Sequence, residues 1–238
     1  MEHFDTILGL AGGTTALDLA AVALILALWV GVGRLIEHPP AARASVSVLM
    51  AEYRREWMRQ FVTRQPRIFD ATVIDSLRQG TAFFASACMI AIGGGVALVG
   101  NPRQLADLSA ELPLPAAGVA LEVKLILVVA FLANALLKFI WAHRLFGYCA
   151  ILMAAVPNDP ADPLAQPRAR QAAEVNITAA KSFNRGLRSI YFALGALGWL
   201  LGPVVLAVTA CLSAGVLVRR EFASHSRQVM LGDGQGRS

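Results

Sequence analysis

A chain of 238 residues with only 16% charged residues and a mean hydropathy of +0.57 is too apolar for an ordinary soluble domain, where ~25% of residues are charged. Its apolar residues fall in runs separated by polar stretches, the pattern of an all-α integral membrane helical bundle of about four transmembrane helices with cytoplasmic amphipathic helices. The net charge of +5 does not point to nucleic acid, because most arginines flank apolar runs, where membrane topology accounts for them.

Residues 1 to 16 contain no Lys or Arg and carry Glu2 and Asp5. The first apolar run is therefore expected to be a retained span rather than a cleaved leader. It covers about residues 17–36, with Asp18 near its entry and Arg34 near its exit, which places the N-terminus outside. Asp18 reads as a solvated carboxylate in the first helical turn, where the helix dipole favours it. Pro39 and Pro40 stop the helix.

From Ser45 an amphipathic helix is expected to about residue 64. Val46, Leu49, Met50, Tyr53, Trp57 and Phe61 recur on one face, and Glu52, Arg55, Glu56 and Arg59 on the other. Two placements stay open: flat at the membrane interface, or packed on the cytoplasmic end of the bundle. Pro66 interrupts, and a second cytoplasmic helix over 67–80 leads into the second span. Thr81 to Gly100 is twenty residues without charge, enough to cross a ~30 Å hydrocarbon core. Ala87, Ala91 and Gly95 give this span a small-residue packing face. Asn101 and Pro102 end it, and an external loop containing Pro113 and Pro115 follows.

The third apolar stretch, Leu121 to Val156, would be ~54 Å long as a helix. A span over 121–141 is expected, with 142–156 continuing into the cytoplasm. Asn134, Lys138 and Trp141 share a face, with Arg144 just beyond. Interfacial snorkelling explains them, and a polar patch for substrate, partner or lipid head group is the alternative. After a proline-rich loop, an amphipathic helix is expected over 168–188. Ser189 to Val218 is then thirty residues without charge. One kinked span, bent at Gly202 and Pro203, is the simpler reading. It leaves Arg219, Arg220 and Arg227 outside, against the charge rule. A re-entrant pair broken at the same glycine and returning to the cytoplasm is the alternative. The chain thus reads as one membrane domain over 1–230, with a disordered tail over 231–238. With four spans, the cytoplasmic side holds fifteen of the twenty-one Lys and Arg, and this fixes the expected orientation in a bacterial cytoplasmic membrane.

No zinc-protease, nucleophile-elbow or phosphate-loop motif is present. His3, His38, His143 and His225 are scattered, and Cys88, Cys149 and Cys211 sit singly in apolar runs. No catalytic, metal or cofactor site is expected, and the chain reads as a non-enzyme. The candidate interaction residues are Arg54, Arg55, Arg67, Asp70, Asn134, Lys138, Arg144, Arg185 and Arg188. Their arginines are expected either to form an ion-pair collar with Glu52, Glu56, Asp70 and Asp75, or to present a surface for anions, lipid head groups or a partner protein.

Several stretches in order carry a resemblance: Tyr53-Arg-Arg-Glu-Trp57, Arg67-Ile-Phe-Asp70, Phe83-Phe-Ala-Ser86, Lys138-Phe-Ile-Trp141 with Arg144, Asn184-Arg-Gly-Leu-Arg188 with Tyr191-Phe192, Trp199 near Gly202-Pro203, and Arg219-Arg-Glu-Phe222. Together they resemble domain-of-unknown-function family 599, multi-pass membrane proteins of bacteria and plants. The resemblance implies about four spans and carries over no activity or site residue. The expected function is a non-catalytic accessory or scaffold protein presenting a basic helical cytoplasmic surface. A small oligomeric channel or transporter lined by Asn134 and Lys138 is the alternative. Lipid is the one partner required; nucleic acid is not expected, and an oligomer is compatible with the pattern.

Overall fold

The computed structural model describes residues 16–40, 43–101, 103, 107 and 119–232. Among them the chain is all-α: α1 (Ala16–Glu37), α2 (Val46–Thr63), α3 (Ile68–Val99), α4 (Leu121–Ala154), α5 (Ala165–Ala196), a 3-10 turn (Leu197–Leu201), α6 (Pro203–Phe222) and α7 (His225–Met230). The segment before residue 16, most of the loop with Pro113 and Pro115, and the tail from 233 lie outside the described residues.

α1, α3, α4 and the stretch Pro203–Met230 are long and apolar enough to cross a membrane. They keep much of that apolar surface outward: Leu19, Met89, Ile90, Val96, Ile126, Val204 and Leu212 are exposed. Such faces suit a lipid solvent, and a helix satisfies its backbone internally there. Residues 67–80 and 81–100, read as a helix followed by a span, form one uninterrupted helix from Ile68 to Val99. Likewise α5 carries the amphipathic stretch straight on into the apolar one.

Contacts within the expected domain 1–230 cluster into two compact units. Of the described residues, the first takes those within 16–34, 88–135 and 187–218; the second takes those within 35–87, 136–186 and 219–232.

In the first unit, α1 buries Asp18, Ala21, Ile25 and Val32, which recur at helical spacing. Phe131 of α4 stacks on Phe192 of α5 at 6.2 Å and meets the edge of Trp29 at 5.5 Å. α3 approaches α4 where it is thinnest, since a Cβ on Gly95 would stand 2.7 Å from Val129.

The stretch 189–218 is not one kinked span. α5 and α6 run antiparallel: Thr209 Oγ1 donates to the Gly195 carbonyl at 2.7 Å and Ser213 Oγ to the Tyr191 carbonyl at 3.1 Å. Gly202, with φ of 122°, adopts a backbone that an L side chain resists. Pro203 then starts α6, where its missing N–H is no loss. The two helices approach closely at Gly195 and Gly198. A Cβ on Gly198 would fall 2.4 Å from Thr209 Oγ1. The close-packing pair is therefore Gly195 and Gly198, and Gly202 is a turn residue. Backbone at the break is not stranded, because the Gly202 N–H reaches the Trp199 carbonyl at 3.0 Å and the Leu206 N–H reaches the Gly202 carbonyl at 3.1 Å.

The tip of this hairpin corrects a second expectation. Asp18 is 3% exposed and accepts a hydrogen bond from Trp199 Nε1 at 2.8 Å. At the other end of the same helices, Arg188 lies against Gly33. The hairpin thus traverses the same depth as α1.

In the second unit α2 is capped by Ser45, whose Oγ accepts from the Val48 N–H and donates to the Ile36 carbonyl. Its apolar face is packed inward, with Met58, Phe61 and Val62 buried among Ile74, Cys149, Met153, Val156, Ala169 and Ala173. This selects bundle packing over the flat interfacial placement. Phe84, Phe139 and Phe183 form a ring cluster with centroids 5.4 to 5.7 Å apart. The returning α6 brings its end to α2: Ser47 donates to Glu221, Arg43 to the Phe222 carbonyl at 2.9 Å, and Arg227 to the Ala44 carbonyl at 2.9 Å. Arg227 therefore stands beside the 43–47 segment, not at the opposite end of a span.

Candidate functional site

The polar chemistry gathers in the second unit. Its segments hold seventeen of the twenty-one Lys and Arg but only ten of the sixteen Asp and Glu, a net charge of +7 against −2 for the remainder.

α2 supplies three adjacent polar anchors. Arg54 Nη1 donates to Asn176 Oδ1 on α5, and the Asn176 amide reaches Cys149 Sγ on α4 at 3.5 Å. Asn176 is fully buried, on the face of α5 that also carries Ala172 and Ala179. Burial pushes the Arg54 pKa down from its usual value. Arg55 bridges Glu52 on its own helix and Glu174 on α5. The hydrogen bond from Arg55 holds the Glu174 carboxyl below its usual pKa, and the same bond raises Arg55. Trp57 Nε1 donates to Asp70 at 2.6 Å, and Arg64 forms an ion pair with that same carboxylate, which has no exposed surface.

Between α2 and α5 these contacts leave a groove of about 400 Å³. Arg55, Arg59 and Arg170 line it together with Glu52 and Glu174, beside Met58, Ala169 and Ala173. Fixed charges of both signs beside apolar residues can recognise a helix or loop of another protein through register and shape.

The nine sequence candidates do not converge on one site. Arg54, Arg55, Arg67 and Asp70 lie on or beside α2. Among the described residues Arg67 takes no carboxylate; it donates to the carbonyls of Val62, Val156 and Pro157 and lies 4.5 Å over the Phe61 ring. With Arg168, which donates to the Ala155 carbonyl, it satisfies carbonyls of the turn that follows α4. Arg185 pairs with Glu37, a bond that raises its pKa. Arg144 is exposed and bonds the Tyr148 hydroxyl at 2.9 Å. Asn134 belongs to the first unit, where it accepts from Ser189 at 3.0 Å. Lys138 meets α5 through its carbonyl, which accepts from Ser182 at 2.9 Å. Arg188 is 6% exposed and sits in the first unit.

Of the expected carboxylates Glu52 takes Arg55, Glu56 takes Arg59 and Asp70 takes Arg64, while Glu174 and Glu37 pair with Arg55 and Arg185. Glu37, Arg64, Glu174 and Asn176 were not among the candidates. Asn176 carried a legible signal, a polar residue on the apolar face of an amphipathic helix. Glu37 and Glu174 did not, because long-range ion pairs leave no local pattern. Among the described residues no group of three or more His, Cys, Asp or Glu is placed to hold a metal ion.

Comparison with curated proteins and with solved structures found no match. The model of the family described as "Protein of unknown function, DUF599" matches residues 20–226, and this chain, an all-α protein with four membrane-span-like helices, belongs to that family.

Proposed function

We propose that this protein is a non-catalytic accessory or scaffold protein of a bacterial cytoplasmic membrane, which holds a membrane-associated protein partner on the groove between α2 and α5. The carrying observation is the charge partition: the segments that build the groove hold nearly all the cations. By the positive-inside rule those segments face the cytoplasm and the N-terminus faces the periplasm. The return of α6 supports this orientation, since it places Arg219, Arg220 and Arg227 with the other arginines and removes the conflict that a single span over 189–218 would create.

The groove suits a protein partner better than a small anion, because its arginines share the lining with Glu52 and Glu174 and form no concentrated positive pocket. Asn134, the residue a transport pathway would need, ties α4 to α5 through Ser189, a packing role.

A photo-crosslinking residue placed at Arg59 or Arg170 in cells, followed by mild-detergent purification, tests the proposal. The expected result is one stoichiometric protein adduct from both positions, lost when Arg55→Glu is added and not formed from exposed Leu194. Adducts scattered over many proteins, or a yield unchanged by charge reversal, would sink it.

A further inference from the structure

A second cavity in the same unit lies away from the groove, and its chemistry is different. It has a volume of about 320 Å³ and is formed by Phe61 of α2, the start of α3, the end of α4 and Asn158. Its floor is apolar: Phe61, Ile74 and Met153 are 2, 3 and 5% exposed. Two guanidinium groups, Arg67 and Arg78, line it. Each has a fully buried Nε with no hydrogen-bond partner among the described residues. Arg67 spends its terminal nitrogens on three carbonyls, which fixes the group in place without neutralising it. Asp75, the one carboxylate on the lining, is exposed and engaged by Gln79 at 2.6 Å.

A buried N–H of a charged group that lacks an acceptor is costly, and arginine cannot shed its charge. Two guanidinium charges beside an apolar floor suit a ligand that joins an anionic group to hydrocarbon. Neighbouring Ile68, Phe69 and Ile151 are 71, 66 and 68% exposed, so apolar surface continues outward from the residues that line the cavity. The volume equals that of about ten waters. That accommodates a phosphate head group and the start of an acyl chain, not a whole lipid.

We infer that this cavity binds the head group of an anionic phospholipid, with its phosphate on Arg67 and Arg78 and its glycerol and upper chain against Phe61, Ile74 and Met153. The site shares no residue with the groove, so it stands or falls independently of the protein partner.

Native mass spectrometry and thermal melts of the full-length protein in mild detergent, titrated with dioleoylphosphatidylglycerol, dioleoylphosphatidylcholine or oleate, test the inference. One phosphatidylglycerol should bind per chain, saturably and with a rise in melting temperature. Arg78→Gln should weaken it about tenfold, the loss of a charge-assisted hydrogen bond. Ala154→Trp, which adds bulk at an exposed residue of the lining and keeps both arginines, should weaken it comparably. Without lipid, Arg78→Gln should melt no lower than the parent, because it removes an unsatisfied buried donor; that readout separates ligand loss from misfolding. Binding of phosphatidylglycerol unaffected by either variant would overturn the site. Equal binding of phosphatidylcholine, or displacement of phosphatidylglycerol by oleate, would overturn its assignment to an anionic phospholipid.

Discussion

Trp199 and Asp18 are 181 residues apart in sequence, yet the indole Nε1 donates to the buried carboxylate at 2.8 Å. Lys124 on α4 is itself 8% exposed and within electrostatic reach of Asp18. One contact therefore joins the start of α1 to the tip of the α5–α6 hairpin. Trp199→Phe should lower stability by ~1–3 kcal/mol, because it leaves a buried acceptor with one donor fewer. The loss should shrink in an Asp18→Asn background. Thermal unfolding of the four proteins of this double-mutant cycle measures it, and additive effects would mean that the two residues act separately.

The hairpin also depends on residues without side chains. Gly198→Ala puts a methyl 2.4 Å from Thr209 Oγ1 and 3.1 Å from the Val205 carbonyl, so the helices must separate at a cost of ~1–3 kcal/mol. Gly94→Ala meets nothing within 4 Å. It should be neutral or stabilising by up to ~1 kcal/mol through helix propensity. Melting both variants in the same detergent reads the contrast directly.

Asp70 has no exposed surface and holds both Trp57 and Arg64. Arg64→Ala should destabilise by ~3–5 kcal/mol, because it leaves the buried Asp70 carboxylate without its cation. Asp70→Ala leaves Arg64, which is 35% exposed and can turn to solvent, and should cost less. Proteolysis of the 43–67 segment in detergent-solubilised protein should follow the same order.

Glu174 supplies a pH test. Its pKa is depressed by the Arg55 hydrogen bond. The folded state therefore binds its proton less readily than the unfolded state, and stability falls with acidification. The contribution is complete above the ordinary value of 4.5 and is lost as pH drops through the lower folded value. Both side chains are largely exposed, so the effect is at most ~1 kcal/mol. Melting temperatures of the parent and Glu174→Gln should differ at pH 7 and converge as pH falls through the lowered folded value; a difference that persists in acid would exclude this linkage.

Orientation is tested by labelling single cysteines introduced at Gln60 and Arg227. Both should react with a membrane-impermeant maleimide only in inverted vesicles. Labelling of residue 60 from the periplasmic face, or of the two residues from opposite faces, contradicts the proposed topology.

Much of the architecture is local and was legible in the residues alone. Runs such as Thr81–Gly100 report a lipid solvent, because each helix closes its own backbone hydrogen bonds and only its outer surface must match hydrocarbon. The arginine-rich segments likewise fall together, in the second unit. The amphipathic face of α2 and the breaks at Pro39 and Gly202 belong to this class. What Gly202 does is another matter. The same Gly-Pro pair fits a kink and a reversal, and the choice fell to Gly195, Gly198, Thr209 and Ser213, which make an antiparallel return closely packed and fully hydrogen-bonded. The fate of Asp18, the pairing of Arg185 with Glu37, and the two orphan guanidinium nitrogens at one cavity are likewise tertiary outcomes. Each needs side chains from distant parts of the chain to meet. A charge in a sequence announces that it must be satisfied or solvated, and only the packed helices determine by whom.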